Sequence, residues 1–149
     1  MGTVGNIDNI IKLTDTLSRV EKNLNEEMEI LEFVLDTITD GYWDLHIPNG
    51  YQYLSSKYKE MLGYGVNEME NAPSAWMAII DKVDLKITLD NFNKHVDTNG
   101  EHPFDQVVTY THKLGHKIKI RCTGSIVSWN KDGTPLRMVG IHQLIKGEQ

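Results

Sequence analysis

The apolar pattern of the chain changes at residues 39–41, and this change limits the folds that are open to it. From Asn6 to Asp40 the sequence contains neither proline nor glycine, and apolar residues recur every three or four positions, as in a helix with one apolar face. After Gly41 the period becomes two, and turn residues separate short apolar runs. The chain is therefore expected to combine one long helix with a globular domain. The predicted segments are 1–38 for the helix, 39–145 for the domain and 146–149 for a tail.

The helical segment fits a heptad repeat, in which two seam positions face a partner helix. At 1.5 Å per residue such a helix is roughly 45–50 Å long, which is more than a domain of this size can cover. This favours a parallel two-stranded coiled coil, and hence a homodimer, although Glu27 interrupts the seam. The alternative is an amphipathic helix of period 3.6 that lies along its own domain. The predicted seam consists of Ile10, Leu13, Leu17, Val20, Leu24, Leu31, Val34 and Ile38.

The remainder of the chain has the pattern of a mixed helix and strand domain. Five segments have the composition and turn boundaries of strands: 42–47, 51–54, 104–111, 117–127 and 136–144. Three helices are predicted between the second and third strands: one capped by Ser55 or Ser56, one within 67–80 that Pro73 interrupts, and one over 84–96 with Asp84 as its cap. Since βαβ alternation is absent, we expect an α+β fold with a five-stranded, mainly antiparallel sheet and short helices on one face.

Three stretches of this domain carry a resemblance to a known family. They read GYWDL at 41–45, YLSSKYKEMLGY at 53–64 and DGTPLRMVGIHQ at 132–143. With Trp76 and Ile80 between them, they resemble the PAS domains of bacterial sensor histidine kinases and diguanylate cyclases. The resemblance covers about residues 39–145, and it implies the PAS fold with a long helix in front.

The resemblance implies a sensory function. A PAS module couples the binding of a small molecule or partner to the geometry of a coiled coil, as part of a bacterial signal-transduction protein such as a two-component system. The output domain is then expected on the parent chain, although LIK at 144–146 departs from the family motif that joins the domain to its output helix. The alternative function is a constitutive dimerisation scaffold with a closed core and no ligand.

The family's small-molecule pocket lies between the sheet and the helices. Large rings dominate the buried area of any domain of this size, and convergent polar groups cannot be identified from sequence. A filled core is therefore the favoured expectation, with an open pocket as the alternative. If the pocket is open, its walls are expected to include Tyr53, Trp76, Phe92, Tyr110, Cys122 and His142.

The sequence offers no assembled catalytic or metal site. It has neither the Gly-x-Ser-x-Gly motif of a hydrolase nor a phosphate-binding glycine loop. Cys122 lies in the same alternating set as Ile118 and Ile120, which is typical of a small core residue. Its six histidines are dispersed, apart from His112 and His116, which flank a turn and are expected to be solvated. The resemblance leaves haem bound through His95 as the one cofactor alternative, against a role for this residue at a helix C-terminus. We therefore predict a non-catalytic protein without a metal.

The composition restricts the partners and the compartment. With 15 basic and 21 acidic residues the net charge is −6, so no basic face is available to neutralise nucleic-acid phosphates. No apolar run approaches the roughly 20 residues that a membrane helix needs, which predicts that the chain does not insert into a membrane. One cysteine cannot form an intramolecular disulfide, and a reducing, cytoplasmic location is expected.

Overall fold

The computed structural model describes residues 2–147, and the side chains of residues 5–147. The chain divides into two compact units, Met1–Leu35 and Asp36–Gln149. Of the predicted tail, residues 148 and 149 lie outside the described part. None of the helices in that part is long and apolar enough to cross a lipid bilayer.

One helix, α1 (Gly2–Ile38), makes up the first unit and ends within the second. It is unbroken because the stretch from Asn6 onward has no residue that interrupts helical hydrogen bonding. Its eight predicted seam side chains are 40–67% exposed on the single chain. The predicted long helix is thus confirmed, and its pairing with a second copy stays a prediction.

The second unit is built on a five-stranded sheet, as the sequence predicted. The strands are β1 (Gly41–His46), β2 (Tyr51–Leu54), β3 (Phe104–Thr111), β4 (Lys117–Trp129) and β5 (Pro135–Leu144). Their order is β2-β1-β5-β4-β3, and every neighbouring pair is antiparallel. The helices between β2 and β3 are α2 (Ser56–Met61), α3 (Pro73–Met77) and α4 (Lys82–Asp97). The α+β class and the element order are therefore confirmed.

Strand alternation gives the sheet one buried face. In β3, the residues at 104, 106, 108 and 110 are buried, whereas those at 105 and 107 are exposed, as expected when one face packs on helices and the other does not. The same alternation in β4 buries Ile120, Cys122 and Ile126. This buried face carries the core and positions the site described below.

Two helix boundaries differ from the sequence prediction. Asp81, not Asp84, caps α4, and its side chain accepts a hydrogen bond from the amide of Val83 at 2.9 Å. Asp84 lies inside the first turn, where its Oδ2 accepts from the amide of Thr109 at 2.8 Å and ties α4 to β3. Pro73 begins α3 instead of interrupting a longer helix, because its missing amide is no loss at the first helical position.

The segment that connects α1 to β1, residues 36–41, is held to the domain by hydrogen bonds, and we call it the joint. The ammonium of Lys57 on α2 donates to the carbonyl oxygens of Asp36 and Thr39, each at 2.5 Å. These carbonyls lie at a helix C-terminus, where intrahelical donors are lacking. From the other side, the Asp40 amide donates to the carbonyl oxygen of His142 on β5 at 2.9 Å.

Close packing at Gly41 completes the joint. Its φ is 157°, and a β-carbon placed there would lie 2.6 Å from the Cα of Tyr58 on α2. Gly41, the last residue of the joint, must therefore be glycine for α2 to approach β1 this closely. The end of α1 is thereby fixed to α2 and β5 together.

Candidate ligand-binding site

A cavity of about 130 Å³ lies between the buried face of the sheet and helices α3 and α4. The favoured expectation of a completely filled core is therefore wrong. Met77 on α3 and Leu89 on α4 line the cavity and are also partly exposed, so the cavity reaches the surface between these two helices. An engineered apolar cavity of about 150 Å³ accepts benzene, which makes this space adequate for a molecule of about one ring.

Aromatic side chains form most of its wall. Trp43, Phe104, Trp76 and Phe92 line it from the sheet and from the helices. The indole Nε1 of Trp76 donates to Oε1 of Gln52 at 2.8 Å, so the orientation of this ring is fixed. The wall is thus flat-sided and largely apolar.

The indole of Trp43 lies over two glycines that pair across β4 and β5. Gly124 and Gly140 are cross-strand partners. A β-carbon on Gly140 would lie 2.2 Å from the Trp43 ring, and one on Gly124 would lie 2.8 Å from it. The two missing side chains leave the space that the indole occupies, and this determines the shape of the sheet wall.

A chain of polar side chains ends at the cavity. Nε2 of His102 contacts Oδ1 of Asn91 at 3.3 Å, and Nδ2 of Asn91 donates to Oε1 of Gln106 at 3.0 Å. Gln106 is 7% exposed and lines the cavity. No group within residues 2–147 accepts a hydrogen bond from its Nε2. A buried amide donor without a protein partner carries a desolvation cost that a hydrogen-bonding ligand can offset.

His142 is a second residue of the cavity wall that has an unpartnered polar atom. It is 1% exposed, and its Nδ1 has no hydrogen-bond partner in the described part of the chain. Its ring packs on Tyr58 at 4.4 Å between centroids and on Tyr110 at 5.9 Å. Burial lowers the pKa of His142 to about 3, so the imidazole stays neutral at ordinary pH.

The other titratable groups in the wall are neutral as well. Burial raises the pKa of the Cys122 thiol to about 12 and raises the pKa values of the Tyr58 and Tyr110 phenols above their usual range. A thiol that stays protonated is a poor nucleophile. The arrangement is suited to binding a neutral molecule rather than to covalent chemistry.

Five of the six residues proposed from sequence line this cavity, namely Trp76, Phe92, Tyr110, Cys122 and His142. Tyr53 does not, and its assignment is corrected. In β2 the buried positions are Gln52 and Leu54, so Tyr53 projects from the other face, where its ring lies 5.9 Å from that of Tyr42. Adjacent residues of a strand point to opposite faces, and the sequence interpretation put the wrong one inside.

Sequence reasoning identified His142 but missed the other unpartnered polar residue of the site, Gln106. One signal was available, because Gln106 occupies the same alternating set of β3 as Phe104, Val108 and Tyr110. A lone amide within an otherwise apolar, inward-facing set indicates a buried polar group that needs a partner.

His95 lies outside the cavity wall and is 2% exposed. Its Nδ1 lies 2.7 Å from the carbonyl oxygen of His102, and its Nε2 accepts from the amide of Ile126 at 3.1 Å. His95 lies in the last turn of α4, as expected for a residue at a helix C-terminus, but it is buried rather than at the surface, and both ring nitrogens already bind backbone groups. Haem ligation by His95 would require breaking one of these hydrogen bonds.

The paired histidines lie together at the β3–β4 turn. The rings of His112 and His116 stack with centroids 4.2 Å apart, and burial followed by the proximity of His116 lowers the pKa of His112. Within the described residues, no three or more histidine, cysteine or acidic side chains form a cluster that could hold a metal ion.

Comparison with solved structures finds the same fold in several other proteins. A sensory box histidine kinase/response regulator from Burkholderia thailandensis is 23% identical with a TM-score of 0.66, covering 77% of this chain and 83% of that one. The N-terminal domain of a diguanylate cyclase with PAS/PAC sensor from Marinobacter aquaeolei is 14% identical with a TM-score of 0.57, covering 68% and 91%. A PAS domain from Colwellia psychrerythraea is 14% identical with a TM-score of 0.60, covering 79% and 96%.

These identities establish a shared fold, and the family follows from the sequence match. No curated protein sequence matches the chain. The family model described as PAS fold matches residues 51–142, which is more than half of the chain and contains most of the cavity wall. The resemblance noted from sequence is thereby confirmed, and the chain belongs to the PAS family.

Proposed function

We propose that this PAS domain is a sensory module that binds a small molecule in the cavity and transmits its presence to the end of α1. One observation carries the proposal. Gln106 and His142 line an otherwise apolar cavity, and each has a buried side-chain nitrogen to which no described protein group is hydrogen-bonded. Such atoms destabilise a domain unless a ligand or water binds them.

The contacts of His142 and Tyr58 supply a route from the cavity to the joint. The His142 ring lines the cavity, while its carbonyl oxygen binds the Asp40 amide. The Tyr58 ring packs on that of His142, and the adjacent Lys57 holds the carbonyls of Asp36 and Thr39. A ligand that displaces either ring therefore shifts elements to which the joint is bonded. The domain would then bind the ligand with different affinity in two arrangements of the joint. Such a difference in affinity is what a population shift requires.

We further propose that the signal acts on a parallel coiled coil formed by α1 in a homodimer. The exposed seam residues, such as Leu17 and Leu24, support this pairing, because a monomer would leave a long apolar stripe in water. The module would then belong to a longer chain with an output domain, as in the histidine kinase and diguanylate cyclase to which it is similar. The free, buried Cys122 supports a cytoplasmic location.

The alternative function, a constitutive scaffold, requires a closed core. The cavity and its two unpartnered polar atoms favour the sensor, because a scaffold gains nothing from either. A non-catalytic module is likewise supported by the high pKa of the Cys122 thiol, which leaves the cavity without a reactive nucleophile.

A screen with a matched pair of variants tests the proposal. Cys122→Leu adds apolar volume to the cavity without removing Gln106 or His142, whereas Thr123→Leu makes a comparable change at the neighbouring, outward-facing position. We expect small neutral molecules to raise the melting temperature of the wild type and of Thr123→Leu, and to have little effect on Cys122→Leu. If no molecule distinguishes the two variants, the scaffold is the better description.

A further inference from the structure

We infer that the ligand is a neutral molecule with a single aromatic ring and a carbonyl-type oxygen that accepts a hydrogen bond from Nε2 of Gln106. This inference rests on the proposed function and narrows it to a chemical class. Three features of the cavity support it: the direction of a hydrogen-bond chain, the absence of charge in the wall, and the size and shape of the space.

The hydrogen-bond chain sets the polarity of Gln106. An amide side chain has one acceptor atom and one donor atom. Oδ1 of Asn91 accepts a hydrogen bond from His102, so Nδ2 of Asn91 faces Gln106. This Nδ2 donates to Oε1 of Gln106, which is the acceptor atom of that side chain. Nε2 of Gln106 is thereby left without a partner among the described residues, and only a hydrogen-bond acceptor can bind it. Asn91 does not line the cavity, so it acts as a positioning residue.

The wall excludes charged ligands. Among the residues that the structure describes, those lining the cavity include no Asp, Glu, Lys or Arg. Burial keeps His142 neutral by lowering its pKa to about 3, and keeps Cys122 neutral by raising its pKa to about 12. A carboxylate or ammonium group would therefore enter without a counter-ion, which is strongly unfavourable.

The size and shape of the cavity favour a ligand with a single ring. The volume of about 130 Å³ is close to that of cavities that accept benzene. Trp76 and Phe92 on the helix side and Phe104 on the sheet side offer flat apolar faces, against which a ring packs by offset or edge contacts. The surface opening near Met77 and Leu89 leaves room for a small substituent.

Three probes of similar shape test the class by calorimetric titration of the whole chain. Acetophenone has the ring and the acceptor, α-methylstyrene replaces its oxygen by a methylene group, and benzoate adds a charge. We expect both neutral probes to bind, and benzoate to give no detectable binding at a concentration tenfold above the dissociation constant of acetophenone.

The decisive comparison is with Gln106→Met, which keeps the length of the side chain and removes the donor. α-Methylstyrene gains more free energy than acetophenone on leaving water, so the affinities of the two probes for one protein are not directly comparable. The informative quantity is the change in each probe's affinity between the wild type and Gln106→Met. Acetophenone should bind Gln106→Met about tenfold more weakly, the effect of one lost buried hydrogen bond, whereas the binding of α-methylstyrene should not be weakened.

Asn91→Ala should weaken the binding of acetophenone roughly threefold, with no effect on that of α-methylstyrene, because loss of the positioning contact costs part of that hydrogen bond. Gln143→Met, an exposed position on β5, is the matched control and should change neither affinity.

The outcomes separate this inference from the proposed function. If both neutral probes bind and Gln106→Met weakens them equally or not at all, the acceptor class is wrong and the sensor remains. Benzoate binding as tightly as acetophenone would also overturn the class. If neither neutral probe binds the wild type, this inference fails, and the sensor proposal then depends on the wider screen with Cys122→Leu.

Discussion

Replacing Gly140 by alanine is expected to destabilise the domain by at least about 3 kcal/mol, at the upper end for overpacking of a core. The added methyl group would lie 2.2 Å from the Trp43 ring and 2.5 Å from the carbonyl oxygen of Thr123. The ring is confined by Phe104, 6.1 Å away, and the carbonyl belongs to a strand, so neither can move aside without disturbing the sheet. Since domains of this kind have only about 5–15 kcal/mol of stability, much of the protein should be unfolded or aggregated.

Urea denaturation followed by circular dichroism measures this loss. Gly147→Ala is the matched control, because a β-carbon there meets nothing within 4 Å, and its stability should equal that of the wild type. Adding Trp43→Leu to Gly140→Ala should restore part of the stability by removing the ring that the methyl group meets. A Gly140→Ala protein as stable as the wild type would show that Trp43 does not occupy the space over the two glycines.

The double variant Leu17→Asp with Leu24→Asp is expected to abolish dimer formation. In a parallel coiled coil each aspartate would face its own copy at the seam, where two desolvated like charges cost several kcal/mol. Light scattering at tens of micromolar should give twice the 17.0 kDa chain mass for the wild type and a single chain mass for the variant.

A matched pair of substitutions on the far side of the helix controls for added charge. Ser18 and Asn25 follow the two leucines by one position, off the seam, and Ser18→Asp with Asn25→Asp should leave the dimer intact. A monomeric wild type would contradict the coiled coil. A dimer that survives substitution of both leucines would place the interface in the domain instead.

The sequence predicted most of the fold, because each element has a strong local signal. The recurrence of apolar residues every three or four positions, without proline or glycine after Asn6, predicts α1, and the alternation of β3 predicts both the strand and its buried set. The first residue of a helix was harder to predict where two neighbouring residues could both serve as its cap. Asp81 and Asp84 are both acceptable helix caps, and the contact that places Asp84 inside the helix is to Thr109, 25 residues away.

The candidate site was harder to predict, because it depends on contacts between distant elements. Large residues on the predicted helices, such as Trp76 and Phe92, were identified because the family resemblance implied a pocket between the sheet and the helices. Tyr53 was misplaced because β2 reads YQYL, with aromatic residues in one phase and a buried Gln52 in the other. The donor direction of Gln106 depends on Asn91, 15 residues away on a helix. The cavity itself results from how closely the helices approach the sheet, which no local pattern determines.

Occupancy of the cavity is expected to alter the joint, and hydrogen exchange of two amides measures this directly. The Asp40 amide donates to the His142 carbonyl, and the Leu144 amide donates to Oδ2 of Asp40 at 2.6 Å. At a ligand concentration about 100 times the dissociation constant, exchange at both amides should slow by about tenfold or more if the bound state favours this arrangement. In Lys57→Met, which removes the ammonium that donates to the carbonyls of Asp36 and Thr39, the protection of Asp40 should be smaller. Slower exchange confined to amides of the cavity wall, with Asp40 and Leu144 unchanged, would contradict the account.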